Sequence, residues 1–317
     1  MKKVLIGYDG SEHADVAVED LQRAGLPHDT EAIVLTVADA FCPPAVEVKD
    51  WGQSPFDERI RQRAEELRAR AMKARDEADL VARRGAARLQ ELFPSWAIST
   101  ETDLNWPGWG IILKAEQWGA DLVVVGSGER SLIERIQFGS ISRKIVGACE
   151  RSVRLGRRSP RHSEPAVRII IGLDGSPDAE RAMETVAQRV WPEGSAAHLM
   201  TVLDKRLSFL VPSIIPRLAR WSSAADSAND QAWVERMMEA AGNRLQNAGL
   251  KVTSEVARGN PNQRILDAAI DWQADCLFVG ARGLSGIERF LIGSVSSDIA
   301  ARAQCSVEIV RSDTPQV

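Results

Sequence analysis

The residues best suited to chemistry lie between Gly280 and Ser296, in the stretch GARGLSGIERFLIGSVS, which overlaps the end of the apolar run ADCLFVG. Their spacing is G-x-x-G-x9-G-S, from Gly280 through Gly283 to Gly293 and Ser294. Glycine lacks a Cβ, so backbone N–H groups can approach an anion closely and the chain can turn through positive φ. Where such a loop opens a helix, unpaired amides and the positive dipole end favour phosphate oxygens, and Ser294 and Ser296 add hydroxyl donors. The pattern suits a triphosphate tail. A second reading stays open, in which the small residues only make a tight connection that keeps a sheet compact. Asp174, at the end of another apolar run, reads either as a ligand carboxylate or as a helix cap.

Other chemistry has little support. No Ser-His-Asp arrangement, acid–base pair or Walker A lysine is present, and Glu134 and Glu288 sit in matched IER segments that read as surface helix with a local ion pair. Cys42, Cys149, Cys276 and Cys305 are far apart, and His13, His28, His162 and His198 are scattered, so no metal-ligand spacing exists. The cysteines read as core residues of a reduced compartment, the cytoplasm. A net charge of −4 implies no general attraction to nucleic acid or anionic lipid. No apolar run approaches a membrane span, and MKKVLIGYDGSEHAD holds too few apolar residues for a signal-peptide core.

The elements that must position the glycines are written twice. VLIGYDGSEHADVAVE returns as IIIGLDGSPDAERAME from Ile169, matching Asp9 to Asp174 and Ser11 to Ser176. IVLTVAD returns as HLMTVLD, and ADLVVVGSGERSLIERIQFGSIS from Ala120 returns as ADCLFVGARGLSGIERFLIGSVS from Ala274. With 317 residues, the chain divides into a first domain at 1–155, a linker at 156–166 and a second domain at 167–317. The linker reads as a solvated connector rich in arginine. The first copy is longer by FDERIRQRAEELRARAMKARDEADLVARRGAARLQELF, expected as an amphipathic helix with a solvated charged face, interrupted near Gly85.

Within each copy, apolar strand-like runs alternate with helical segments. RIIIGLD, AAHLMTVLD, LKVTSEVARG, CLFVGA and CSVEIVR read as strands, and Ser176 or Pro177 starts the first helix of the second copy. Alternation predicts two tandem, doubly wound parallel five-stranded sheets. Ligands of such sheets settle beyond the carboxyl ends of the strands, where strand order reverses. If strands one and four are neighbours, Asp174 and the Gly280–Gly283 segment border one crevice.

The glycine spacing, the aspartate ending strand one and the tandem alternation together resemble the universal stress protein family in its two-domain form. The resemblance covers nearly the whole chain. It implies a flavodoxin-like or Rossmann-like fold of the adenine nucleotide alpha hydrolase type, with strand order 3-2-1-4-5 and the domains packed as a pseudo-dimer through SVRLG and SVEIV. It implies ATP as ligand, accompanied by Mg2+ or Mn2+, in those family members that bind it. Carried onto this chain, it assigns Asp174 and the backbone at Val202 to the adenine end, and Gly280, Arg282, Gly283, Gly293, Ser294, Val295 and Ser296 to ribose and phosphates, with Arg282 offering positive charge.

The first copy departs from that pattern. Asp9, Val37, Gly126, Gly139 and Ser140 remain, but Glu129 stands where the second glycine belongs, placing a Cβ and a repelling carboxylate beside the phosphates. Trp106 and Trp109 replace polar residues and read first as core, otherwise as a domain contact or a cleft plug. The expectation is an ATP-competent second domain and an impaired first. Three functions follow: an ATP-binding regulator acting in stress response through an unidentified protein partner, a weak ATPase, or a nucleotide-free scaffold for protein or small ligands. A homodimer of the whole chain is a further expectation.

Overall fold

In the computed structural model, residues 1–44, 55–127, 139–161, 163–203, 227–283 and 292–312 are described, without the side chains of 55–57 and 227–231. The first half runs β1 (Lys2–Gly7), α1 (Glu12–Asp20), β2 (Thr30–Ala38), α2 (Pro55–Leu92), β3 (Ala97–Leu104), α3 (Pro107–Trp118), β4 (Leu122–Gly126), α4 (Ser140–Ala148) and β5 (Ser152–Gly156). The second runs β6 (Arg168–Gly172), α5 (Pro177–Ala187), β7 (Ala196–Leu203), α6 (Ser227–Asn247), β8 (Lys251–Arg258), α7 (Pro261–Asp271), β9 (Cys276–Gly280), α8 (Ser294–Arg302) and β10 (Ser306–Val310). All strands pair into a single ten-stranded sheet, ordered β3-β2-β1-β4-β5-β10-β9-β6-β7-β8. Pairing is parallel within each half, and the halves meet antiparallel at β5 and β10. The carboxyl ends of the two sets of strands therefore lie on opposite rims.

Strands such as VLI in β1 and III in β6 are apolar at successive positions because helices cover both faces. On one face, Val4, Ile6 and Tyr8 pack with Leu89 of α2, and separately Ile169, Ile171 and Phe278 pack with Val234, Met238 and Leu245 of α6. On the other, a single core passes from Leu5, Ile111 and Ile145 through Val153, Leu155, Val307 and Ile309 to Ile265 and Ile299. The halves thus share one core as well as one sheet. Ser11 and Ser176 cap α1 and α5 by accepting the N–H groups of Ala14 and Ala179 at 3.2 and 3.3 Å.

Helix α2 is not interrupted at Gly85. An ideal Cβ there would lie 2.7 Å from the Tyr8 ring, so glycine serves the close approach of helix to strand end. The Tyr8 hydroxyl donates to Asp15 Oδ1 at 2.5 Å, and burial, reinforced by that carboxylate, pushes its pKa up to about 12.

The connector between the halves is solvated only in part: Arg158, Pro160 and Ser163 to Pro165 are exposed, whereas alternate residues before them turn inward. Arg157, Ser159 and Arg161 are 4, 6 and 8% exposed. Ser159 and Arg161 are held by buried Asp275, which accepts from Ser159 Oγ, from Arg161 Nη1 at 3.5 Å and from Arg168 N at 2.7 Å, and pairs with Arg23 at 2.8 Å. Arg157 reaches across to donate to the carbonyls of Cys305 and Ala300, the latter in the last turn of α8. Arg311 returns the contact by donating to the Val146 carbonyl, near the end of α4, at 2.9 Å. Cations at helix carboxyl ends complement the dipole.

At the seam itself a four-charge cluster is closed to water. Arg154, fully buried, donates to Asp20 through Nε at 2.7 Å and Nη2 at 3.2 Å, and through Nη1 to Glu308 at 3.1 Å. Arg189 donates to both Glu308 oxygens. Burial works against the Arg154 charge, but the carboxylates of Asp20 and Glu308 outweigh it and keep the guanidinium protonated. Removing one member leaves its partner buried and uncompensated. Asp20→Ala is expected to lower the unfolding free energy by about 3–5 kcal/mol, measured by urea denaturation.

Candidate functional site

Strand order reverses between β1 and β4 in the first half and between β6 and β9 in the second. At the second reversal, the chain leaving β6 places Asp174 on the rim, where its Oδ1 accepts the N–H of Ser176 at 2.9 Å. Asp174 is thus part of the turn into α5, while the cap of that helix is Ser176.

The glycines have separable roles. At Gly280 an ideal Cβ would lie 2.6 Å from Ala179 N, and at Gly126 it would lie 2.6 Å from the His13 carbonyl carbon. Both glycines let a helix begin against a strand end, so this pair serves packing in either half. Gly283 differs: an ideal Cβ there would lie 2.7 Å from Asp174 Oδ2. Any side chain would displace that carboxylate. Gly293 N donates to the Ala281 carbonyl at 2.8 Å, and an ideal Cβ at Gly293 would lie 3.7 Å from Gly283 N. Asp174, Gly283 and Gly293 therefore converge on one small region of the rim, although they are distant in the chain.

Gly293 is the N-cap of α8 and offers no side-chain cap. The first intrahelical donor is Ser297, bonded to the Gly293 carbonyl at 2.9 Å, so the amides of Ser294, Val295 and Ser296 precede the helical ladder. Unpaired amides at a helix start are a geometry that can receive an anion, and Ser294 is exposed there. Ser296 is buried, and its hydroxyl donates to the Gly280 carbonyl, as Ser142 donates to Gly126 at 2.9 Å. The hydroxyl of Ser296 is therefore committed to the fold, and only its amide is left among the groups that precede the helical ladder. Val202 lies near the end of β7, in register with Ala257 and partly buried.

Arg282 does not lend a free charge to the rim. Its guanidinium donates to Asp178 from Nε at 3.0 Å and Nη2 at 3.3 Å, and its backbone N–H donates to the same carboxylate at 3.0 Å. Asp178, 2% exposed, also accepts the Ser312 N–H at 2.9 Å, tying the glycine loop to the exit of β10. Burial alone pushes the Asp178 carboxyl up. Hydrogen bonds from Arg282 and Ser312, with the Arg282 charge, outweigh it and hold the carboxyl below its ordinary range. Sequence reading missed Asp178, and the available signal was a paired difference between the repeats: Asp178 and Arg282 correspond to His13 and Gly128.

In the first half, Asp9 accepts the Ser11 N–H at 3.0 Å, and Gly139 caps α4, which begins at Ser140. Val37 and the Asp103 carboxylate crowd Gly110, whose ideal Cβ would lie 2.9 Å from the valine. Glu129, Gly128 and Glu134 lie outside the described residues, as does Glu288. Trp106 and Trp109 are not core: they are 68 and 40% exposed. The buried face of α3 is formed instead by Ile111, Ile112 and Ala115, and the Lys144 ammonium stands 5.4 Å from the Trp109 ring centre. Cys149, Cys276 and Cys305 are buried thiols, whereas Cys42 is exposed. Among the described residues no group of three or more His, Cys, Asp or Glu could hold a metal, and no helix is long and apolar enough to cross a membrane.

A doubly wound sheet ordered 3-2-1-4-5 in each half, with a glycine loop at its reversal, defines an α/β protein of the Rossmann-like class. The family model described as the universal stress protein family matches residues 1–155 and again 167–311. The chain belongs to that family, as a tandem of two such domains. A universal stress protein of Mycolicibacterium smegmatis is 25% identical over 322 residues, covering 97% of this chain and 96% of that one. A universal stress protein of Synechocystis is 35% identical over 79 residues, covering 25% of this chain and 49% of the relative. The crystal structure of a universal stress protein from Archaeoglobus fulgidus shares the fold, with a TM-score of 0.66, 18% identity and coverage of 98% of both chains.

Asp178→Asn is expected to cost about 2 kcal/mol at pH 7, where the ionised carboxylate serves Arg282 and Ser312. A depressed carboxyl stabilises above its unfolded pKa, and that contribution fades as pH falls through the lower folded value. The gap between wild type and variant should therefore shrink under acid, as denaturation at pH 7 and below pH 4 would show.

Proposed function

We propose that this protein is an ATP-binding regulator of the stress response, with the nucleotide held by the second half. The observation that carries the reading is the contact of Gly283 with Asp174: the loop is shaped around a carboxylate at the sheet reversal, where only glycine fits. Asp174 and the backbone at Val202 face the adenine end, and the glycine loop takes the ribose. Gly283, Gly293 and the leading amides of α8, from Ser294, Val295 and Ser296, take the phosphates, while Arg282 acts through Asp178 to hold the loop. Gly280 keeps the loop close to α5.

The residues present fit a triphosphate, because an uncapped helix start and glycine backbone supply N–H donors without added side-chain bulk. A divalent ion, Mg2+ or Mn2+, would be carried in on the phosphates and would offset their charge near Asp174. In the first half, Glu129 at the position of Gly283 would set a carboxylate against the phosphates, so that half is silent. Regulation requires that ATP bind one conformation better than another and so change contacts with a protein partner. Buried thiols at Cys149, Cys276 and Cys305 support a reduced compartment, the cytoplasm.

Titration calorimetry on the full chain with ATP and magnesium should find one site. Gly283→Glu, which copies the first half, should weaken it at least about tenfold through overlap and like-charge repulsion at Asp174. Absence of binding in the wild type, or equal affinity in the variant, would count against this site.

A further inference from the structure

The two halves are equivalent by sequence, yet the residues that meet on the local twofold axis between them are opposites. Along the seam, Glu308 stands directly against Arg154. These residues hold the same place in SVEIV and SVRLG, so the axis passes between them. They are 1 and 0% exposed, and Arg154 Nη1 donates to Glu308 at 3.1 Å. Gly25 and Val190 are a second matched pair that meets across the axis, with Val190 N donating to the Gly25 carbonyl at 3.0 Å. Trp191 lies on Gly25, where an ideal Cβ would come 3.0 Å from its ring, and Arg189 donates to the Ala24 carbonyl at 2.7 Å.

Pairing like with like reverses each of these contacts. Two first halves would bring Arg154 against Arg154, with Leu26 where Trp191 belongs, leaving the space above Gly25 underfilled. Two second halves would bring Glu308 against Glu308 and drive each Trp191 towards Val190 in place of a glycine. Asp20 and Arg189 partly neutralise Arg154 and Glu308 within their own halves. The contact on the axis nevertheless changes from attraction to repulsion in a buried setting, where charge is poorly screened.

We propose that this seam is a recognition surface for an unlike domain, built to join the two halves of the chain and to reject a second copy of either half. Attraction between Arg154 and Glu308 and the seat of Trp191 on Gly25 select the correct partner, and the same residues act against the wrong one. This inference stands apart from nucleotide binding.

A protease site placed in the full chain between Ser163 and Glu164, both exposed, allows the folded protein to be cut, unfolded and reassembled by dilution. Native mass spectrometry should then find the mixed pair in more than about 100-fold excess over either like pair, because buried like charges are strongly disfavoured. Like and mixed pairs in statistical proportion, or halves that remain apart, would overturn the proposal. On the intact chain, Arg154→Glu and Glu308→Arg should each lower the unfolding midpoint, and the double variant should recover part of the summed loss. Strictly additive losses would show that the two charges do not read one another.

Discussion

The buried contact of Arg154 with Glu308 is the constraint around which the molecule is arranged. An antiparallel joint between two parallel sheets requires the last strand of each half to pair at its edge, and an edge of this kind is open to any other strand. Burying an unpaired guanidinium there would be prohibitive, so a carboxylate must face it. Asp20 and Arg189 complete a neutral cluster, and Ser306 donates to Asp20 at 2.7 Å to satisfy a remaining lone pair. Once the joint closes this way, the carboxyl rims point in opposite directions and the candidate sites are held apart.

The joint also reaches towards those sites. Arg157 and Arg311 leave the paired strands and cross to the carboxyl ends of α8 and α4, helices that begin at Ser294 and Ser140. Ser312, next in the chain, is held by the same Asp178 carboxylate that fixes Arg282. The loop, the helix and the interdomain strand of the second half are thereby one hydrogen-bonded unit. In the first half His13 replaces Asp178 and is exposed, so that linkage is absent among the described residues.

The repeats therefore diverged selectively. Gly126 and Gly280 are kept because a helix starts against each, which the fold demands whatever the chain binds. Gly283 serves the approach to Asp174 and is lost in the first copy, where glutamate follows. The first half has also built contacts of its own: Tyr8 sits beneath Gly85 where the second half has Leu173, and α2 crosses it unbroken.

Much of this was legible in residue order. The repeat, the alternation of strand and helix, the serine caps and the glycine spacing depend on periodicity and local backbone chemistry, which neighbouring residues encode. The chain by itself thus determined the tandem α/β architecture and the place of the glycine loop. Only the tertiary structure decided that Arg157, Ser159 and Arg161 of the connector are buried, that Arg282 belongs to Asp178, that the Ser296 hydroxyl holds Gly280, and that Trp106 and Trp109 face outward. Arg282 and Asp178 are 104 positions apart, and Arg154 and Glu308 are 154 apart. A charge on the sequence is neither buried nor paired until folding brings its partner to it. Its environment, rather than its type, settles whether it binds a ligand or holds the fold.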